Sequence, residues 1–140
     1  MRTWLFKSEP ACWSWADQVR RGAKGEEWDG VRNYQARNFM RDMSLGDRGF
    51  FYHTDKEKAV VGIVEICAPP HRDSTTDDPR WDCVDIRAVA PLPNPVTLEQ
   101  IKADPRLSDM ALVRQPRLSV QPVTAAEWKI ICQMGGCDGV

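Results

Sequence analysis

The sequence predicts an α+β fold built on a small mixed sheet that curls toward a barrel. Three observations lead there. Five or six strand-like runs are interrupted by three or four short helices, with no regular βαβ alternation to suggest a doubly wound parallel sheet. Two adjacent apolar runs, GFFYHT at 49–54 and AVVGIVEICA at 59–68, flank the charged turn Asp55-Lys56-Glu57-Lys58 and read as a hairpin. The chain has 140 residues, 42% apolar and 28% charged, which suits one globular domain with a core of its own.

Each element has a local reason. In RTWLFK, residues 2–7, aromatics alternate with other side chains as a strand requires, and Ser8-Glu9-Pro10 breaks the run. Ser14 can N-cap a short helix, with Asp17 completing the box and Gly22 ending it. The three glycines in residues 22–30 predict a loop. Asn33 is the cap of a second helix, whose apolar face is Ala36, Phe39, Met40 and Met43, closed by Gly46-Asp47. After the hairpin, residues 69–80 read as a polar loop. Residues 82–89 alternate Val84, Ile86 and Ala88 against Asp85 and Arg87, and PLPNP ends that strand. Thr97 with Gln100 caps a helix that must stop before Pro105. RLSVQPV at 117–123 is a short strand. Thr124 with Glu127 caps a last helix that turns Trp128, Ile131 and Cys132 inward and ends at Gly135-Gly136. The domain is expected over 1–136, with 137–140 as a disordered tail.

Composition excludes several function classes. Nineteen basic residues against twenty acidic ones give a net charge of −1, too little for a protein that coats nucleic acid by charge alone. Cys12, Cys67, Cys83, Cys132 and Cys137 form no C-x-x-C. With only His53 and His71 beside them, no metal-ligand spacing appears, so neither metal nor cofactor is expected. Free thiols fit a reducing compartment, and no signal peptide or membrane-length segment is visible. The expectation is a cytoplasmic protein, nuclear if eukaryotic, with no membrane partner and acting as a monomer.

A few residues stand out for chemistry. Trp28 lies in a polar, glycine-flanked loop, where an indole has little to pack on unless it borders a ligand. Arg32 and Tyr34 flank the Asn33 cap, where free N–H groups favour a phosphate or a carbonyl. Lys7-Ser8 and Tyr52-His53-Thr54 each end a strand, and strand ends of a small barrel meet at its mouth. Leu118 and Ser119 could add a wall. Together these groups can read the polar edge of a flat heterocycle. Catalysis is not assembled: Ser8 with His53, or Glu9 as base, lacks an orienting partner, and no G-x-S-x-G, Walker or G-x-G-x-x-G motif occurs. A lone histidine after a tyrosine on an apolar strand is ordinarily a hydrogen-bonded structural residue.

Four blocks in order, WLFKSEP at 4–10, WDGVRNYQARN at 28–38, FFYHT at 50–54 and RLSVQPV at 117–123, resemble the EVE domain over nearly the whole chain. That resemblance implies a PUA-like fold, a small mixed β-barrel with flanking helices. It implies a non-catalytic pocket for a flipped modified nucleobase, with modified cytosines in DNA leading. On this reading Lys7, Ser8, Trp28, Val31, Asn33, Tyr34, Tyr52, His53, Thr54, Leu118 and Ser119 contact the base. Arg32 and Arg37 hold flanking phosphates. Many members have Tyr-His-Ser where this chain has Tyr52-His53-Thr54, so the hydroxyl survives beside an added methyl. A reader of modified RNA, an enzyme acting on a nucleoside or small nucleotide, and a pure protein-interaction module remain the alternatives.

Overall fold

The computed structural model describes residues 1–137. Six strands form one mixed sheet: β1 (Thr3–Ser8), β2 (Glu26–Glu27), β3 (Arg48–His53), β4 (Ala59–Arg72), β5 (Asp82–Thr97) and β6 (Val120–Val123). Their order is β2-β5-β4-β3-β1-β6. Only β1 and β3 run parallel; the other pairings are antiparallel. The helices are α1 (Trp15–Arg21), α2 (Tyr34–Arg41), α3 (Leu98–Ala103), α4 (Ala111–Arg114) and α5 (Ala125–Gly135). The α+β class and the PUA-like mixed sheet hold, but the expected barrel is not closed: β2 and β6 are left as edges. Both edges are blunted against further pairing. β2 is two glutamates long, and β6 carries Pro122.

The capping signals act as their chemistry requires. Ser14 with Asp17, Thr97 with Gln100 and Thr124 with Glu127 each form a reciprocal capping box, and the Asn33 side chain accepts from Ala36 N–H. Gly136 ends α5 in the left-handed conformation.

Several boundaries differ from the sequence expectation. The loop expected over 22–30 contains β2, paired Glu26 to Ile86 and Glu27 to Asp85. Strand β4 runs on through Pro69-Pro70-His71-Arg72, and β5 through PLPNP, where a loop and a strand end were expected. Proline cannot donate to a ladder, yet here it does not need to. Pro69 and Pro70 fall in the register shift between Ala68 and His71. Pro93 and Pro95 fall in a larger one between Val60 and Gly62, which pair with Val96 and Pro91. Helix α2 ends at Arg41, although Met43 is still buried beneath it. The strand expected over 117–123 begins only at Val120. Cys137, assigned to the tail, is 5% exposed and its Sγ donates to Cys132 O, whereas 138–140 lie outside the described residues.

The sheet separates two apolar layers. Trp4, Phe6 and Phe51 face one side, with Trp28, Met40 and α2. Leu5, Phe50 and Tyr52 face the other, with α3 and α5, where Phe50 stacks on Trp128 at 4.0 Å. The period-2 alternation of β1 and β3 decides which residue goes where. Gly62 lets Trp15 lie against β4: a Cβ there would meet the indole at 2.4 Å. Helix α1 thereby covers the first layer beside the candidate site.

Candidate functional site

On the first layer's side, a cavity of about 510 Å3 opens between the end of β1 and the segment from β2 to α2. That size is ordinary for a small-ligand site. Lys7, Ser8, Trp28, Val31, Arg32, Asn33 and Ser119 line it, together with Glu9, Cys12, Trp13, Glu26, Glu27, Asp29 and Gly30.

Trp28 forms one wall of the cavity. It is 9% exposed and wedged edge-on against Phe6 (5.4 Å) and Phe51 (5.8 Å), and its backbone N–H donates to Val84 O. Trp13 is the second indole of the cavity. Its Nε1 donates to Gln18 Oε1 at 2.9 Å, and Gln18 in turn donates to Ile86 O at 3.0 Å. That chain fixes the ring through a fully buried glutamine. Ser8 donates its hydroxyl to Trp13 O, which pins the turn carrying Trp13 to the end of β1. Lys7 N–H donates to Ser119 O at 2.9 Å, and its ammonium reaches Pro116 O at 2.7 Å. Burial lowers the Lys7 pKa from its ordinary value.

The segment 29–33 is held from outside by Asp73. Its carboxylate, 2% exposed, accepts from Gly30 N–H (2.8 Å), Arg32 Nη1 (3.1 Å), Thr75 N–H (2.8 Å) and Thr75 Oγ1 (2.5 Å). Burial pushes that carboxyl up, but the bonds from Thr75, Gly30 and Arg32 outweigh it and hold its pKa at about 2. Gly30 takes φ +77°, the left-handed conformation that aims its N–H at Asp73.

Six of the residues assigned from sequence stand elsewhere. Tyr52 is on the opposite face of the sheet, in the layer with Trp128, because it shares the parity of Phe50. His53 is on the near face but spent on structure. Its Nε2 accepts from Trp15 N–H at 3.0 Å, so the proton sits on Nδ1 and is donated to Glu57. Thr54 donates its N–H to Ser8 O at 2.9 Å and does not line the cavity. Leu118 is a core residue, 4% exposed. Tyr34 is 50% exposed and stacks on Trp81 at 4.9 Å, outside the cavity. Arg37 lies over the Tyr34 ring at 4.8 Å and donates to Arg80 O. Arg32 spans both places, lining the cavity while its guanidinium sits 5.3 Å from the Trp81 ring. The positive charge nearby is largely matched: Arg32 pairs with Asp73, Arg41 with Asp82 and Arg80 with Asp78.

The lining carries more acid than the sequence reading foresaw. Glu9, Glu26, Glu27 and Asp29 face only Lys7 and Arg32. Trp13 and Asp29 had a visible signal. Both sit next to residues already singled out, Trp13 after the break at Pro10 and Asp29 between Trp28 and Gly30. The glutamates of β2 had none, because a two-residue strand shows no periodicity.

Glu27, His71 and Cys83 bring possible ligand atoms within 4.8 Å of one another, a grouping the sequence spacing did not show. The His71 ring is not open to a metal. Nδ1 faces Arg72 O and Nε2 faces Asp85 Oδ1, both acceptors, which calls for a proton on each nitrogen. Burial opposes that charge, but the Asp85 and Arg72 bonds outweigh it and raise the His71 pKa.

The model of the EVE domain family matches residues 2–134. Thymocyte nuclear protein 1 of Mus musculus is 36% identical, over 94% of this chain and 72% of the mouse protein. A solved protein of Agrobacterium tumefaciens is 57% identical and superposes with a TM-score of 0.98, over 100% of this chain and 97% of that one. The human THYN1 protein, solved in complex with 5-methylcytosine containing DNA, is 31% identical with a TM-score of 0.91, over 96% of this chain and 98% of its own. This chain belongs to the EVE domain family.

Proposed function

We propose that the chain is a non-catalytic binding module that takes one extruded nucleobase, a modified cytosine in DNA, into the cavity between β1 and the segment 28–33. The observation that carries the reading is this cavity, bordered by two indoles, in a chain whose human relative was solved with 5-methylcytosine containing DNA. A base inside a duplex hides its faces, so reading it requires extrusion, at a cost of a few kcal/mol. Contact with an aromatic returns about 1–3 kcal/mol per base. Trp13 and Trp28, which line the cavity, would supply it. Burying one methyl adds about 0.8 kcal/mol, roughly a fourfold preference over the unmodified base. The methyl contact alone selects the modification, because cytosine and 5-methylcytosine share one polar edge; hydrogen bonds to that edge select the base. Lys7, Ser119 and the amide nitrogen of Asn33 are available for that, since Asn33 uses only its oxygen for the cap.

The same geometry argues for binding without turnover. Ser8 donates to a backbone carbonyl rather than to a base, and His53 has both ring nitrogens engaged away from the cavity. Arg32, on the rim, and Arg37, just beyond it, would hold the flanking phosphates. The pairing of Arg32 with Asp73 and of nearby Arg80 with Asp78 predicts modest affinity and a shallow salt dependence.

The test is competition binding with otherwise identical oligonucleotides carrying one 5-methylcytosine or one cytosine, for wild type and Trp13→Ala. The modified strand should bind at least fourfold tighter, and Trp13→Ala should weaken binding at least fivefold while remaining folded. Equal affinity for both strands, unchanged in the variant, overturns the proposal. A preference for matched modified RNA would reassign the polymer.

A further inference from the structure

Asp29 is the one carboxylate of the cavity lining without a partner among the described residues. Glu26 lies 3.8 Å from Arg21 Nε, Glu27 accepts from both the N–H and the hydroxyl of Ser74, and Glu9 accepts from Cys12 Sγ. Arg32, the cation next along the chain, is committed to Asp73 at 3.1 Å. Asp29 thus stands at the cavity as an acceptor with no protein donor, between Trp28 and the left-handed Gly30.

We infer that Asp29 sets the identity of the base: its carboxylate accepts a hydrogen bond from the exocyclic amine of a 4-aminopyrimidine and repels the oxygen that a 4-oxopyrimidine presents at the same place. The inference rests on the base-reading function proposed above and goes beyond it. That function accounts for the modification, whereas this residue accounts for cytosine over thymine. The chemistry is direct. The cytosine edge offers an N4 amine donor where thymine offers the O4 acceptor, and a carboxylate is suited to the former. A site that presents a carboxylate disfavours a ligand that answers with another acceptor, because the two oxygens repel and neither gains a bond. The neighbouring acids reinforce the sign. Burial, then the charges of Asp73, Glu27 and Glu26, raise the Asp29 pKa against the pull of Arg32, so a donor arriving at Asp29 relieves an existing repulsion.

Thymine is the ideal comparison, because it carries the same 5-methyl group as 5-methylcytosine. Single-stranded oligonucleotides differing only in that base avoid any difference in pairing cost. Wild type should hold the 5-methylcytosine strand roughly ten- to hundredfold tighter than the thymine strand. Asp29→Asn should bring the two within about threefold, because the amide can turn its NH2 to O4. Its urea midpoint should be no lower than that of wild type, which shows that the variant is folded. A variant that keeps the wild-type ratio, or a wild type that does not separate the two strands, overturns the inference. A control strand with unmodified cytosine keeps the two ideas apart. If wild type separates 5-methylcytosine from cytosine but Asp29→Asn leaves the thymine ratio unchanged, only the Asp29 assignment falls. If wild type separates none of the three strands, the base-reading function falls with it.

Discussion

Replacing Asp73 by asparagine tests what holds the cavity wall in place. The carboxylate accepts four hydrogen bonds, two from the wall (Gly30 N–H and Arg32) and two from Thr75. Its pKa falls from an ordinary 3.8 to about 2, which corresponds to about 2 kcal/mol of folding stability at neutral pH. Asparagine keeps one acceptor oxygen and turns an NH2 toward donors, adding about 1 kcal/mol for the bonds lost. Asp73→Asn should therefore lower stability by about 2–4 kcal/mol in a urea titration at pH 7. The sign with pH follows from a depressed pKa. The contribution is whole above the unfolded value near 4 and disappears as pH falls through about 2. The gap between wild type and variant should thus narrow, with the charge-dependent part falling to roughly half at pH 3. A loss below about 0.5 kcal/mol, the ordinary range for a surface change, would refute the reasoning, as would a gap that stays constant from pH 7 to pH 3.

Two further perturbations separate structure from binding. Gly30→Ala places a Cβ in open space, so its whole cost is the left-handed backbone, about 1–2 kcal/mol, read as a lowered urea midpoint with weakened oligonucleotide binding; no change would show that the φ of +77° is not required. His53→Ala strands the Trp15 N–H and removes the Glu57 bond, so it should cost about 2–3 kcal/mol of stability. The folded fraction should bind a modified strand within twofold of wild type, and loss of binding without loss of stability would put His53 back in the site.

How much of this was written in the sequence can be judged residue by residue. The capping residues placed the N-termini of α1, α2, α3 and α5, because a cap is a local contract between a side chain and an N–H three residues on. Strand extents were less legible. Proline argued for ending β4 and β5 early, and only the pairing registers show that it sits in bulges. The run RGFFYH is buried on both faces, so its pattern could not say which of Tyr52 and His53 faces the cavity. Trp28 was legible as a loop indole and does line the cavity, and Trp13, an indole just after the break at Pro10, carried a comparable signal. Tyr34 misled because the first turn of a helix points in two directions. Asn33 opens toward the cavity, whereas Tyr34 turns to Trp81, which lies 47 residues further along the chain and shows no partner in the sequence.

The most direct test of the central claim is a structure of the chain with a duplex carrying a single 5-methylcytosine. The account predicts that base extruded from the helix and seated in the cavity, against Trp13 and Trp28, with its exocyclic amine within hydrogen-bond reach of Asp29. A duplex that binds with the modified base still stacked and paired, or that seats it elsewhere on the protein, would contradict it.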